Sequence, residues 1–390
     1  MNSFGSFYLI TFLTSLIIFI YLFYKIKSFN PINKKNIFLG KNEIIHLTGF
    51  SFSYGVGVDK NGNIFIPDFE KGFIYEIENS YKKSFILKVD KNFLREILFF
   101  EKILFFSIFK KLFNIKSSLY KPHEIYFDKN DKMYITQMGL GNLKGRGKVS
   151  IFSKEKKLIK EIGINDRFKK GLIDPVMTYV NNNFIYITES GANKILRYKE
   201  DKLIDWIGND NDEYIDNFTK KEDLFFSHSL DKPHAIKIGP DKNYYIVDTS
   251  NHRIVKYSDK GNFLGWIGKR ENGKINDNWS MDGNSLKGHE LGAFNTPIDI
   301  VIKNNFIYLS DCFNHRIVRI SLLGKSEAWL GETVDKIESD VIWNNKGRSV
   351  ASNTFLGLHR PFGLKIIKDQ LYIADKQNFR IKIIKSENLF

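Results

Sequence analysis

Two histidines stand in the same short phrase, Lys121-Pro-His123 and Lys232-Pro-His234. Three imidazoles converging from separate elements hold a divalent metal, typically zinc, and leave a position open for a substrate. A third copy of the phrase reads Arg360-Pro-Phe362, with His359 just upstream. The chain thus offers two imidazoles in matching positions and an aromatic ring where a third would stand. The plainer reading makes both histidines hydrogen-bonded structural residues at the starts of strands. Which reading holds depends on the elements that carry them.

Those elements repeat. The phrase at Lys232 is followed by Asn243-Tyr-Tyr-Ile-Val-Asp-Thr-Ser-Asn-His-Arg253, and then by Gly261-Asn-Phe-Leu-Gly-Trp-Ile-Gly268. The phrase at Thr296-Pro-Ile is followed by Asn305-Phe-Ile-Tyr-Leu-Ser-Asp-Cys-Phe-Asn-His-Arg316 and a segment ending Trp329-Leu-Gly331. Further copies occupy 50–89 and begin at Lys121, Asp174 and Arg360. Self-similarity at a spacing of roughly forty to fifty residues marks a propeller or a solenoid. Each copy holds four short alternating apolar runs broken by Gly, Asp and Asn, the pattern of strands joined by tight turns. In the fourth copy these runs are 235–238, 244–247, 254–257 and 263–267. Such sheets bury both faces only by stacking, and radial stacking leaves short edges. The expected fold is all-β, a six-bladed β-propeller of four-stranded blades over 36–390. The sixth copy leaves no room for a fourth strand after Ile384, so 36–47, which belongs to no repeat, is expected to supply it.

The turns Asp248-Thr-Ser-Asn-His-Arg253, Asp311-Cys-Phe-Asn-His-Arg316 and Asp375-Lys-Gln-Asn-Phe-Arg380 resemble the NHL repeat. That resemblance implies NHL-type blades and, since this fold hosts sensors, scaffolds and enzymes, little about activity. The Pro-His positions are similar to those of peptidylglycine amidating lyases, six-bladed NHL-type enzymes in which alternate-blade histidines bind zinc. This implies His123 and His234 as metal ligands and a divalent cation, zinc or calcium, in the central channel. The pattern departs at Phe362, and His359 would need another loop path to replace it. Asp248, Asp311 and Asp375 are expected to cap their turns. Arg253, Arg316 and Arg380 bridge to neighbouring blades or meet a ligand on the same rim; His252 and His315 read as structural.

Composition bounds the rest. Apolar residues make up 43% of the 390 and 35 are Phe, ample for one large core. A single Cys excludes an intrachain disulfide. The net charge of +15 reads as a lysine-rich solvated surface, or as attraction to anionic headgroups or an acidic polymer. No Lys/Arg stripe with interleaved aromatics stands out, which argues against nucleic acid. Residues 1–24 carry no charged side chain, and 1–30 is expected to be a single N-terminal transmembrane helix. Lys25, Lys27, Lys34 and Lys35 after the span place the body in the cytoplasm. The resemblance to exported members points the other way, and an extracytoplasmic propeller is the expectation. Segment 91–118, dense in Phe and Leu, is expected to be a helical insertion, either packed on the propeller or lying at a membrane interface.

Chain direction puts the Pro-x starts, the Asp-x-x-Asn-x-Arg turns and the long connections 209–230, 269–295 and 332–358 at one end of the ring. That face is the expected binding site, with His123, His234, His359, Phe362, Arg253, Arg316 and Arg380 as its residues. The expected function is a membrane-tethered binding or scaffolding module for a protein, peptide or glycan. The alternative is a metal-dependent lyase or hydrolase at the channel mouth.

Overall fold

The computed structural model describes residues 33–39, 42–70, 72–78, 83–86, 119, 121–139, 147–163, 172–200, 202–208, 229–334 and 342–385. The expected anchor and the 91–118 insertion lie outside these. Among the described residues no helix is long and apolar enough to cross a membrane.

Six sheets form six blades. Blade one comprises Gly57–Val58, Ile64–Asp68, Phe73–Ile77 and Lys83–Ile86. Blade two comprises Pro122–Phe127, Met133–Gln137, Lys148–Phe152 and Leu158–Ile162. Blade three comprises Pro175–Asn181, Phe184–Glu189, Lys194–Lys199 and Lys202–Gly208. Blade four comprises Pro233–Ile238, Tyr244–Asp248, Arg253–Tyr257 and Phe263–Ile267. Blade five comprises Pro297–Lys303, Phe306–Asp311, Arg316–Ser321 and Ser326–Leu330. The first strand of each blade touches the first strand of the next, and that of blade six, Pro361–Ile367, returns to blade one, so the ring closes. A hydrogen bond of 2.9 Å from Gly363 N to Tyr54 O stitches this last junction.

Because each blade is sandwiched between two others, its second strand is buried on both faces. Tyr244–Asp248 and Met133–Gln137 are buried at every position. The core is correspondingly divided into layers between blades. Ile254, Ile267, Ile300, Leu309 and Trp329 fill the layer between blades four and five.

Blade six is built from both ends of the described chain. Pro361–Ile367, Gln370–Asp375 and Arg380–Lys385 are followed outward by Asn42–Thr48, which pairs antiparallel with Arg380–Lys385 from Glu43↔Lys385 to Thr48↔Arg380. The missing outer strand therefore comes from where the repeat count placed it. Asn33–Leu39 then adds a fifth strand outside it. The closing strand sends Ile45 and Leu47 into the layer shared with blade one and Ile44 into the layer shared with blade five. Lys385 Nζ holds Glu43 Oε2 at 2.9 Å.

Two long connections take a course the sequence did not suggest. Residues 269–295 and 332–358 do leave from the turn-rich end, but each first runs back along the free edge of its own blade. Ser280 exchanges both backbone hydrogen bonds with Trp266, and Asn344 does the same with Trp329. Trp279 packs on Tyr245, with its Nε1 donating to Leu322 O at 2.9 Å, and Trp343 packs on Tyr308. An exposed strand edge invites pairing with another chain, and these segments cover it.

Removal of 36–47 takes three fully buried aliphatic side chains and a whole strand from blade six. Thermal or urea unfolding of the truncated chain should show a loss of about 5 kcal/mol or more, from roughly 1.5–3 kcal/mol per buried aliphatic side chain. A truncated chain that melts with the full one would show that the pairing does not hold the ring.

Candidate functional site at the channel mouth

A buried carboxylate organises the turn-rich end of each well-matched blade. Asp311 Oδ1 accepts the backbone N–H of Asn295 at 2.7 Å, while Oδ2 accepts Asn314 Nδ2 at 2.8 Å and Arg316 Nε at 2.8 Å. Asp248 does the same for Asp231 N, Asn251 Nδ2 and Arg253 Nε. Asp375 does it for His359 N, Asn378 Nδ2 and Arg380 Nε. Each arginine spends its other donors on carbonyls of the incoming connection: Arg316 on His289, Glu290 and Ala293, and Arg380 on Asn353, Thr354 and Gly357. The arginines expected to bridge blades or meet a ligand are instead buried fasteners between turn and loop. Asp68 keeps the carboxylate role in blade one, taking Ser51 N, and Glu189 takes Asp174 N in blade three.

The residue between Asn and Arg reaches across to the next blade. It is left-handed, with φ of 53° at His252 and 55° at His315, and its ring Nδ1 accepts from the next blade, from Thr296 N and Arg360 N respectively. Asn193 makes the same bond to Lys232 N with its side-chain oxygen. Phe379 replaces it with an edge contact to Phe52 of blade one, centroids 5.0 Å apart.

In blades two, four and six the residue after the inner-strand proline lies at the axis. His123 and His234 meet there with ring centroids 5.3 Å apart, and Phe362 fills the third place, 5.9 Å from His123 and 5.2 Å from His234. The sequence alignment of these three positions therefore corresponds to a spatial cluster. Two further members escaped it. Val58 pairs with Ile64 as Phe127 pairs with Met133, so four residues back along each strand Tyr54 stands level with His123. Tyr54 stacks on His123 at 4.6 Å and meets Phe362 edge-on at 4.9 Å. Lys376, from the turn of blade six, lays its ammonium 4.2 Å from the Tyr54 ring centroid and 4.9 Å from that of Phe362.

His123 Nδ1 donates to Val176 O at 2.8 Å, which leaves Nε2 as a lone-pair acceptor. Burial holds its pKa down to about 3. Burial, the neighbouring His123 and the Lys376 charge push His234 well below the ordinary value, and its buried Nδ1 has no hydrogen-bond partner. Both rings are neutral at physiological pH.

A charged layer lies below. Glu124, Lys237, Asp299 and Lys365 come from four inner strands. Asp299 accepts Ile300 N and Leu364 N at 2.7 Å each and faces Lys237 Nζ at 3.8 Å. Lys365 sits over Tyr126. Burial and the Asp299 charge raise the Glu124 pKa well above its ordinary range, while burial and Lys237 lower Lys365 to about 8. Glycine makes room here: a Cβ on Gly55 would stand 2.0 Å from Glu124 Oε2.

His359 does not join the axial pair. Its backbone is held by Asp375 and its ring lies against His315, centroids 5.2 Å apart. Among the described residues no group of three or more His, Cys, Asp or Glu is placed to hold a metal. Two imidazoles with Phe362 in the third position do not make a three-histidine zinc site, and among the described residues no set of oxygen donors suited to calcium gathers at the mouth.

The chain is a six-bladed β-propeller of the NHL-repeat kind. It is 36% identical over 77 residues to NHL repeat-containing protein 2 of Gallus gallus, a match spanning 20% of this chain and 9% of that protein. No protein-family model matches it. Its fold is similar to a gluconolactonase from Xanthomonas campestris, with TM-score 0.52, 9% identity, and 91% of this chain and 96% of that chain covered. It is also similar to an auxiliary nutrient binding protein from Bacteroides thetaiotaomicron, with TM-score 0.51, 14% identity, and 86% and 69% covered. At these identities the likeness concerns the fold.

Arg316→Leu strands the buried Asp311 carboxylate, and denaturant unfolding should show a loss of about 3–5 kcal/mol; a loss under about 1 kcal/mol would mean the pair is not buried as described. Acid gives a second check. Since the folded His123 resists its proton down to about pH 3, the unfolded chain binds more protons below its own pKa of roughly 6.5. The stabilisation is complete above that value and declines as pH falls toward 3, by about 1.4 kcal/mol per pH unit for this one group. Unfolding at pH 7 and pH 5 should show a larger loss for the parent chain than for His123→Gln; equal losses would place His123 in water.

Proposed function

We propose that the protein is a ligand-binding propeller, that its site is the mouth of the central channel at the turn-rich end, and that its ligand is a protein, peptide or glycan. The supporting observation is the convergence of Tyr54, His123, His234 and Phe362 on the axis with Lys376 laid across them. Ligand sites are concave, largely apolar and set with a few aimed polar groups. The mouth has rings for its walls and unspent polar atoms at His123 Nε2 and His234 Nδ1. The apolar run in residues 1–24 supports a membrane tether, and the resemblance to exported proteins supports an extracytoplasmic propeller.

The metal-dependent lyase or hydrolase is the less favoured reading, because a ring rather than a third donor sits between the imidazoles. Screening of the full chain in nanodiscs against glycan and peptide arrays tests the binding reading. Ligands that bind the parent chain should lose about tenfold or more in affinity with Tyr54→Ala, from the loss of one buried aromatic contact. Ligands that bind both chains equally would place the site elsewhere.

A further inference from the structure

We infer that the channel mouth recognises an acidic sugar, a uronate whose carboxylate seats on Lys376 and whose hydroxyls are read by His123 and His234; this rests on the mouth being the binding site. The half-buried Lys376 ammonium lies over the rings of Tyr54, Phe362 and Phe52, at 4.2, 4.9 and 5.9 Å from their centroids. Among the described residues it has no carboxylate partner and no hydrogen-bond acceptor. Contact with rings satisfies part of the charge but none of three N–H donors. An ammonium so placed lacks a counter-ion with two acceptor oxygens.

The rim repeats the arrangement. Lys121 Nζ lies 4.9 Å from the Phe69 centroid and the Arg360 guanidinium 4.5 Å from that of Phe313, with Arg360 Nε buried and unpartnered. The carboxylate that acts on Tyr54 is the exposed Glu70, which has no contact with Lys376. A peptide end also carries a carboxylate, but the second need of the site favours a sugar. His123 spends its one proton on Val176 O, so its free nitrogen accepts and calls for an O–H donor. His234 Nδ1 is likewise unspent. An acid flanked by hydroxyls on a ring with apolar faces meets the ammonium, the two imidazoles and the aromatic walls together.

Isothermal titration of the full chain in nanodiscs with trigalacturonate, neutral galactotriose and an acetylated tripeptide bearing a free carboxylate tests this. Trigalacturonate should bind at least about tenfold more tightly than the neutral sugar, weaken about tenfold with Lys376→Met, and recover with Lys376→Arg, as a charge-assisted hydrogen bond predicts. Tighter binding of the tripeptide, equal binding of the two sugars, no binding of trigalacturonate, or indifference to Lys376→Met would overturn it. If a sugar still binds with equal affinity in either charge state and Tyr54→Ala abolishes that binding, the mouth stands as the site and only the acidic assignment falls.

Discussion

The turn-rich end depends on a buried turn carboxylate in five of the six blades, blade two carrying Gln137 in its place. Asp248, Asp311 and Asp375 each hold three donors at once: the backbone N–H of the incoming connection, the turn asparagine and the turn arginine. Charge-assisted bonds to a buried acceptor are among the stronger ones a fold can make, and they leave a costly orphan when one partner is removed. Because the same oxygen pair grips both turn and connection, the residue after the inner-strand proline has one place to go. In blades four and six this sets His234 and Phe362 at the axis, while His123 in blade two is fixed by its Nδ1 bond to Val176 O.

This explains why the turn residues recur without being catalytic. Arg316 is fully buried and occupied by Asp311 and three carbonyls, so the repeated Asp-x-x-Asn-x-Arg string records how a blade is fastened to its own incoming loop. The left-handed residue beside it, His252 or His315, reaches the next blade, as Phe379 does against Phe52 at the last junction.

Repeat length, strand alternation and the incomplete sixth copy made the blade count and the closing strand legible before any coordinates, because those features follow from local pattern and from the need to pair edges. The Pro-x position made His123, His234 and Phe362 legible as a set. Tyr54 was hidden because blade one has lost its proline, so no motif marks the equivalent residue. Lys376 was hidden because a lysine in a turn reads as solvated surface, and only the ring geometry turns it inward over Tyr54 and Phe362. Glu124, Lys237, Asp299 and Lys365 were invisible for a related reason: strand alternation tells inside from outside but not which four inner strands meet around one axis. The paths of 269–295 and 332–358 along blade edges depend on backbone pairing at Trp266 and Trp329, which side-chain pattern does not encode.

A crystal or cryo-EM structure of the full chain bears most directly on the central claim, that the closed ring and its pinned connections bring alternate-blade residues onto one axis. The account predicts six blades, with the His123 and His234 rings about 5.3 Å apart and Tyr54, Phe362 and Lys376 around them. An open ring, another number of blades, or a His123 ring turned away from His234 would contradict it.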